Sequence, residues 1–383
     1  MKTLKSIGLA LLLFTVGAAF AQGSLTVDSF TADFSAMAQL KDIVAQGKGK
    51  IAVLLPETTT SARYTSFDAP YLKQAFEAAG LTPDQYIITN AQGSESTELT
   101  QAQSAISNGA TVLLMDPISS GVGASIESYA KDRGVPVIDY DRLTLGGSRD
   151  YYVSFNNVDV GKKIGEGLVN CISAWNVQSP NILVMRGAAT DNNATLFAQG
   201  YDGVLQPYFD SGKYVKVGEP AGTWDPATAR TTFEQQYTAH PNINAVVTPN
   251  DDNANAIISY LKSLNVPPKT FPTTGQDATL TGLQNVLAGY QCGTVYKSIK
   301  LEAQGAAALA IYLRAGMQPP QALVNGTTKD TQANTDVPSV LMSPIWVTPA
   351  NMNETVVKDG FVDTSKLCSG GLAAQCQAAG ISQ

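Results

Sequence analysis

Short apolar runs and longer amphipathic stretches alternate along most of the chain. Ile51–Leu55, Tyr86–Ile88, Thr111–Met115 and Val135–Ile138 are compact and apolar, as strands buried on both faces are. Pro70–Ala79, Ser96–Ser107 and Val122–Asp132 between them carry helical spacing, and each ends near a glycine (Gly80, Gly109, Gly134) suited to a helix C-terminus. Tyr151–Phe155 predicts one further strand. A second series follows. Helices are expected at Val160–Trp175, Ala194–Phe209, Ala227–Thr238, Ala254–Leu264, Leu280–Leu287 and Leu301–Leu313. Strands are expected at Asn181–Met185, Tyr214–Val217, Ile243–Thr248, Thr270–Thr274 and Gly293–Val295. Such alternation predicts an α/β protein with two doubly wound parallel-sheet domains, each sheet covered on both faces. Before the first strand, Phe34–Ala45 reads as a short amphipathic helix followed by the basic, glycine-containing Gln46–Lys50.

In this architecture ligands lie beyond the carboxyl ends of the strands. The residues at those positions are polar or aromatic. Glu57 and Arg63-Tyr64 follow the first strand, Asp116 the third and Asp141-Arg142 the fourth. In the second half Asp191-Asn192-Asn193, Trp224, Asn250-Asp251, Gln276-Asp277 and Lys297 occupy the same places. Each has an ordinary structural alternative: an ion pair for Arg142, a helix cap for Asn192-Asn193, a loop anchor for Trp224, a solvated lysine for Lys297. Their common position after successive strands favours a site.

These side chains offer donors and acceptors in fixed directions, suited to vicinal hydroxyls, and Tyr64 and Trp224 offer flat apolar faces to a sugar ring. No glycine-rich phosphate motif occurs. Catalysis has little support. His240 is the single histidine and lies at an expected helix end, and there is no G-x-S-x-G elbow. Asp141 and Asp277 could form a glycosidase pair, but the neighbouring Arg142 and Lys297 would keep both ionised. No metal or cofactor motif is found, so none is expected.

The N-terminus changes the picture of where this happens. Lys2 and Lys5 precede the apolar Ile7–Phe20, and Ala19-Phe20-Ala21 supplies small residues for cleavage before Gln22. A signal peptide over residues 1–21 predicts export to a periplasm. The net charge is −7, and −9 once the two leader lysines are gone, which argues against nucleic acid or an anionic membrane as partner. An oxidising compartment makes disulfides the default for Cys171, Cys292, Cys368 and Cys376. The short loop between Cys368 and Cys376 favours that pair and leaves Cys171 with Cys292, with two buried free thiols as the alternative.

Arg63-Tyr64, Tyr140-Asp141-Arg142, Ser154–Asn157, Asp191–Ala194, Gly222–Trp224, Asn250-Asp251, Thr274–Ala278 and Thr294–Lys297 occur in an order that resembles the type I periplasmic sugar-binding proteins of ABC importers, in their xylose-binding branch. The resemblance covers about Lys50 to Lys358. It implies two lobes joined by three crossing segments, near Phe155–Val158, Lys297–Lys300 and Met342–Ile345. The lobes would be 50–156 with 299–341, and 157–298 with 342–365, flanked by an N-terminal extension (22–49) and a tail (366–383). It further implies that Arg63, Asp141, Arg142, Asn157, Asn250, Asp277 and Lys297 bond a monosaccharide such as xylose, and that Tyr64 and Trp224 sandwich it. Tyr64 stands where that branch has tryptophan, and Asn156 where it has aspartate. The implied protein is a monomer that hands its sugar to a membrane permease. A chemotaxis or signalling receptor is an alternative, and a secreted glycosidase a third. A repressor core shares the architecture, but a signal peptide stands where its DNA-binding helices would be.

Overall fold

The computed structural model describes residues 25–58 and 63–382; the predicted leader, residues 1–21, lies outside them. After the N-terminal segment, a 3-10 turn Ser35–Leu40 runs into α1 (Lys41–Val44). The first alternation is β1 (Lys50–Leu55), α2 (Ala69–Ala78), β2 (Tyr86–Asn90), α3 (Glu95–Ser107), β3 (Ala110–Met115), α4 (Ser120–Lys131), β4 (Val137–Tyr140) and β5 (Tyr151–Phe155). The chain then crosses to a second lobe. This holds α5 (Asn157–Ala174), β6 (Asn181–Val184), α6 (Asn192–Asp210), β7 (Val215–Gly218), α7 (Pro226–Ala239), β8 (Ala245–Val247), α8 (Asp251–Ser263), α9 (Leu280–Leu287) and β9 (Thr294–Tyr296). It returns to the first lobe through α10 (Ile299–Arg314), β10 (Gly326–Asp330) and β11 (Thr335–Met342). A last crossing leads to β12 (Ile345–Val347), α11 (Thr364–Leu367) and α12 (Ala373–Ala378) in the second lobe.

The first sheet has the order β10-β11-β5-β4-β3-β1-β2 and is parallel except for β10. Its interior strand β1, between β3 and β2, is buried on both faces from Ile51 to Leu55, which explains an unbroken apolar run. In the second lobe β7-β6-β8 are parallel, and single bridges at Val246–Thr273 and Gln276–Val295 continue the sheet toward the antiparallel pair β9-β12. The strand expected at Thr270–Thr274 is thus reduced to a bridge. Pro272 has no N–H to donate and enters only through its carbonyl, which accepts from Val246 N at 2.9 Å. The β10–β11 hairpin leaves no mark in the hydrophobic pattern, because its outer strand, Gly-Thr-Thr-Lys-Asp, lacks apolar positions. A sheet edge facing water tolerates such a sequence.

The N-terminal extension is part of the first lobe's core. Leu25, Phe30, Phe34, Met37, Leu40 and Val44 are buried in it. The single helix expected over Phe34–Ala45 is instead a 3-10 turn followed by a short α-helix, with the left-handed Phe34 (φ 62°) standing before both. Gln304 Nε2 donates to Thr31 O (2.8 Å), and Arg314 donates to Val44 O (3.1 Å) and Gly49 O (2.9 Å), tying the extension to α10. The alanines of α10 (303, 306, 307, 308 and 310) are fully buried, so that helix lies at the centre of the lobe. Both cysteine pairs are disulfides, Cys171–Cys292 and Cys368–Cys376. No helix among the described residues is long and apolar enough to cross a membrane.

In the second lobe the loop that follows the Thr273 bridge rests on one carboxylate. Asp251 is fully buried and accepts from Thr279 N (2.8 Å), Thr279 Oγ1 (3.2 Å) and Gln291 Nε2 (2.8 Å). Burial pushes its carboxyl up to about 8 even though the Gln291 and Thr279 bonds oppose the shift.

Two outcomes follow. Asp251 holds a proton in the folded protein that the unfolded chain releases above its ordinary value of 3.8. Stability therefore falls as pH rises from about 4 to about 8. Asp251→Asn should flatten this part of the pH dependence, as read from denaturant midpoints at pH 5 and pH 8. Replacing Cys171 and Cys292 together by serine should lower unfolding stability by about 2–5 kcal/mol, because a 121-residue loop then opens; denaturant titration measures it.

Candidate ligand site

The carboxyl ends of both sheets face each other across one small cavity of about 30 Å³, partly open to solvent. Its walls are Arg63, Tyr64, Asp141 and Arg142 from the first lobe, Asp191, Asn193, Phe197, Trp224, Asn250, Gln276 and Asp277 from the second, and Lys297 from the second crossing. Eight of the nine ligand residues expected from sequence are therefore brought together. Asn157 is not on the wall. Its Nδ2 donates to Asn193 Oδ1 (2.8 Å) and Tyr152 Oη (3.1 Å), so it braces Asn193 from behind. Asp191, Asn193, Phe197 and Gln276 line the cavity without having been singled out as ligand residues. Asp191, Asn193 and Gln276 are among the post-strand residues that the sequence points to, although not in the ligand set the resemblance implies, whereas Phe197 sits one turn inside α6 and reads as core.

Helix starts place several of these groups. Asp191 Oδ1 caps α6 by accepting from Asn193 N (2.9 Å), while its Oδ2 accepts from Trp224 Nε1 (3.0 Å) and lies 3.2 Å from Arg142 Nε. Asn250 Oδ1 caps α8 by accepting from Asn253 N (3.1 Å), which leaves its amide N–H groups to the cavity. The capping and site readings thus hold together: one oxygen ends the helix and the rest of the group faces inward. Trp224 fits only because Gly187 lies under its ring, where any Cβ would overlap the indole.

Asp141 is the centre of the charge arrangement. Its Oδ1 lies 2.7 Å from Arg63 Nη1 and 3.7 Å from Lys297 Nζ, and its Oδ2 accepts from Tyr64 Oη (3.2 Å). Burial would raise its carboxyl, but Arg63, Lys297 and Arg142 outweigh burial and hold it at about 2. Lys297 also pairs with Asp277 (3.2 Å). Burial works against the lysine's charge, but Asp277 and Asp141 prevail, so its ammonium is held above its ordinary value. Asp141 (φ 58°) and Asp277 (φ 89°) both sit in the left-handed region, one in each lobe. The Asp141 backbone is fixed there by three donors to its carbonyl: Tyr152 Oη (2.8 Å), Ser154 Oγ (2.9 Å) and Asn193 Nδ2 (2.9 Å).

Two of the cations are held from outside the cavity. Arg63 makes a two-point contact with Asp68 (2.7 and 2.9 Å) and a third with Glu302 (2.8 Å). Fully buried Asp116 lies 3.6 Å from Arg142 Nε, and burial pushes its carboxyl well up against the pull of Arg142. A separate surface groove running along β2 and α3, lined by Lys50, Ile87, Thr100 and Ser104 among others, shares no residue with this arrangement.

Residues 51–318 match the model of the periplasmic binding protein domain. The chain is 38% identical over 285 residues to the D-xylose-binding periplasmic protein of Escherichia coli, covering 73% of this chain and 82% of that one. It is 31% identical over 339 residues to the multiple sugar-binding periplasmic receptor ChvE of Rhizobium radiobacter, covering 84% and 93%. A solved carbohydrate transporter solute-binding protein from Chloroflexus aurantiacus, in complex with D-glucose, superposes with a TM-score of 0.74 at 27% identity, covering 82% of this chain and 97% of that one. Two doubly wound lobes with facing strand ends, three crossings and a family match over most of the described residues lead to one assignment: the chain belongs to the periplasmic binding proteins, in their type I fold.

Proposed function

We propose that this protein is a periplasmic receptor that encloses one aldose, of the xylose or glucose type, between its lobes and delivers it as a monomer to the permease of an ABC importer. The observation that carries the reading is the composition of the cavity wall. One ring from each lobe, Tyr64 and Trp224, accompanies charged donors, amides and carboxylates, and each ring is tied to a wall carboxylate through its own polar atom. A polyol meets such a wall with hydroxyls that both donate and accept, and a sugar epimer that leaves one buried group unpaired is penalised. The relatives support the same class: they are named for D-xylose and for multiple sugars, and the structural neighbour holds D-glucose. Asp141 is poorly suited to general acid catalysis, since a carboxyl held at about 2 carries no proton at neutral pH.

Binding would act on the hinge as a population shift. Arg63 and Arg142 sit on one lobe and Asn250 and Asp277 on the other, so a sugar contacts both sets only when the lobes are closed.

Titration calorimetry of the mature protein with xylose, glucose, arabinose, galactose and ribose should give one saturable one-to-one sugar; no heat from any of them refutes the reading. Trp224→Ala and Arg142→Ala should each weaken that sugar by at least about tenfold while the circular dichroism spectrum stays unchanged. Unaltered affinity in both would remove the cavity from the binding site.

A further inference from the structure

The C-terminal segment from Asp359 onward, the last residues of the second lobe together with the tail (366–383), contributes nothing to the cavity wall, yet it carries one aromatic ring to the boundary between the lobes. Phe361, Leu367, Cys368, Cys376 and Ile381 are buried with Leu283, Val286, Tyr296, Val347 and Met352 of the second lobe. Phe361 N donates to Val356 O (2.9 Å), Gln284 Nε2 donates to Lys366 O (2.9 Å), and the Cys368–Cys376 bridge ties α11 to α12. Thus the tail is firmly a part of the second lobe.

From that base the Phe361 ring reaches across. On its own side it packs against Tyr296 (4.9 Å between centroids). On the other it stacks on Phe67 of the first lobe at 4.4 Å with an interplanar angle of 21°, and Phe67 continues to Tyr71 at 6.1 Å. Lys300, at the start of α10 in the crossing, donates to Asp359 O (2.6 Å) and lies over the Tyr71 ring at 5.5 Å. Phe67 also shares a shallow groove with Ala278, Leu280 and Phe361.

The chain positions matter. Phe67 lies three residues after Tyr64 on the same wide turn of π-helix, Tyr64–Asp68, and Ala278 directly follows Asp277. The backbone segments that bring Tyr64 and Asp277 to the cavity therefore also bring the two sides of the aromatic contact together. A separation of the lobes would move those segments apart and remove both sets of contacts at once.

We propose that the disulfide-bridged tail is a closure latch: the Phe67–Phe361 stack stabilises the closed arrangement without touching the ligand and so lengthens its residence. The latch rests on the receptor reading above for its effect on the ligand, but not for its effect on the lobes. A contact made only in the closed state shifts the open–closed equilibrium by its own worth, and it acts mainly on escape.

The test uses Phe67→Ala, Phe361→Ala and the double variant of the full mature chain. Stopped-flow release of D-xylose and of D-glucose, followed by tryptophan fluorescence, gives the dissociation rates, and small-angle scattering without sugar gives the radius of gyration. Each single variant should release sugar about three to ten times faster than the parent, with association little changed. The double variant should be no faster than the faster single one, and sugar-free scattering should show expansion. Unchanged release and unchanged radius in Phe67→Ala overturn the latch, as do strictly additive effects. Phe67→Ala decides even where Phe361→Ala fails to fold, because it leaves the tail intact. If the parent binds neither of these, release is read with whichever sugar of the calorimetric panel binds; if none of the five binds, the receptor reading falls and the radius of gyration alone decides the latch.

Discussion

A buried carboxylate without a cation is among the most costly groups a fold can hold, and the arrangement of this protein's two lobes follows from how Asp141 is satisfied. Its partners arrive from separate parts of the chain: Arg63 from the turn after β1, Lys297 from the second crossing, and Tyr64 beside Arg63. Its carbonyl is held by Asn193 of the other lobe as well as by Tyr152 and Ser154. Lys297 then passes the connection on to Asp277. Across the mouth Arg142 does the same with Asp191. Closure thus has a built-in electrostatic register: charges of opposite sign from the two lobes meet at defined places before any ligand bond is counted.

The outer carboxylates complete this account. Arg63 faces Asp141 on the cavity side and Asp68 and Glu302 behind, so the guanidinium fork is fixed by three acids. Burial raises the Glu302 carboxyl to about 8 despite Arg63 beside it, so the acids around this arginine differ in protonation near neutral pH. The site therefore avoids accumulating the full negative charge its sequence would assign it. A ligand rich in hydroxyls and without charge fits such a wall, because it exchanges hydrogen bonds with every group and adds no further charge to be compensated.

The parts legible in the sequence are those where local pattern and tertiary role coincide. Buried strands such as β1 and β3 are continuous apolar runs, and their carboxyl ends carry the site, so Arg63, Asp141, Arg142 and Asn250 could be named from position. What escaped has a common cause in distance along the chain. Glu302 meets Arg63 across 239 residues from within an alanine-rich helix, and nothing local marks it as anything but a helical glutamate. Asn157 was assigned to the ligand by resemblance, but its amide is used by Asn193 and Tyr152, a competition visible only when α5, α6 and β5 are placed together. The Thr270–Thr274 strand failed on local grounds: its threonines and Phe271 favour a strand, but Pro272 limits the ladder to one bridge.

The N-terminal extension and the C-terminal tail fall outside the family match at residues 51–318, and the structure gives them opposite loyalties. The extension buries Phe30, Phe34 and Met37 in the first lobe and bonds to α10 through Gln304 and Arg314. The tail buries Leu367, Cys368 and Cys376 in the second. Each addition therefore enlarges one rigid body without bridging the hinge covalently, which preserves the freedom of the lobes to separate. Phe361 is where the tail reaches the other lobe, and a ring stack is a contact that forms and breaks without leaving a charge or an unpaired hydrogen-bonding group behind. Polar closure contacts such as Asp141–Lys297 must exchange their partners for water or ligand as the cleft opens; an aromatic one exchanges only apolar surface. Placing the second kind outside the cavity lets the closed state be strengthened without changing which ligand the cavity accepts.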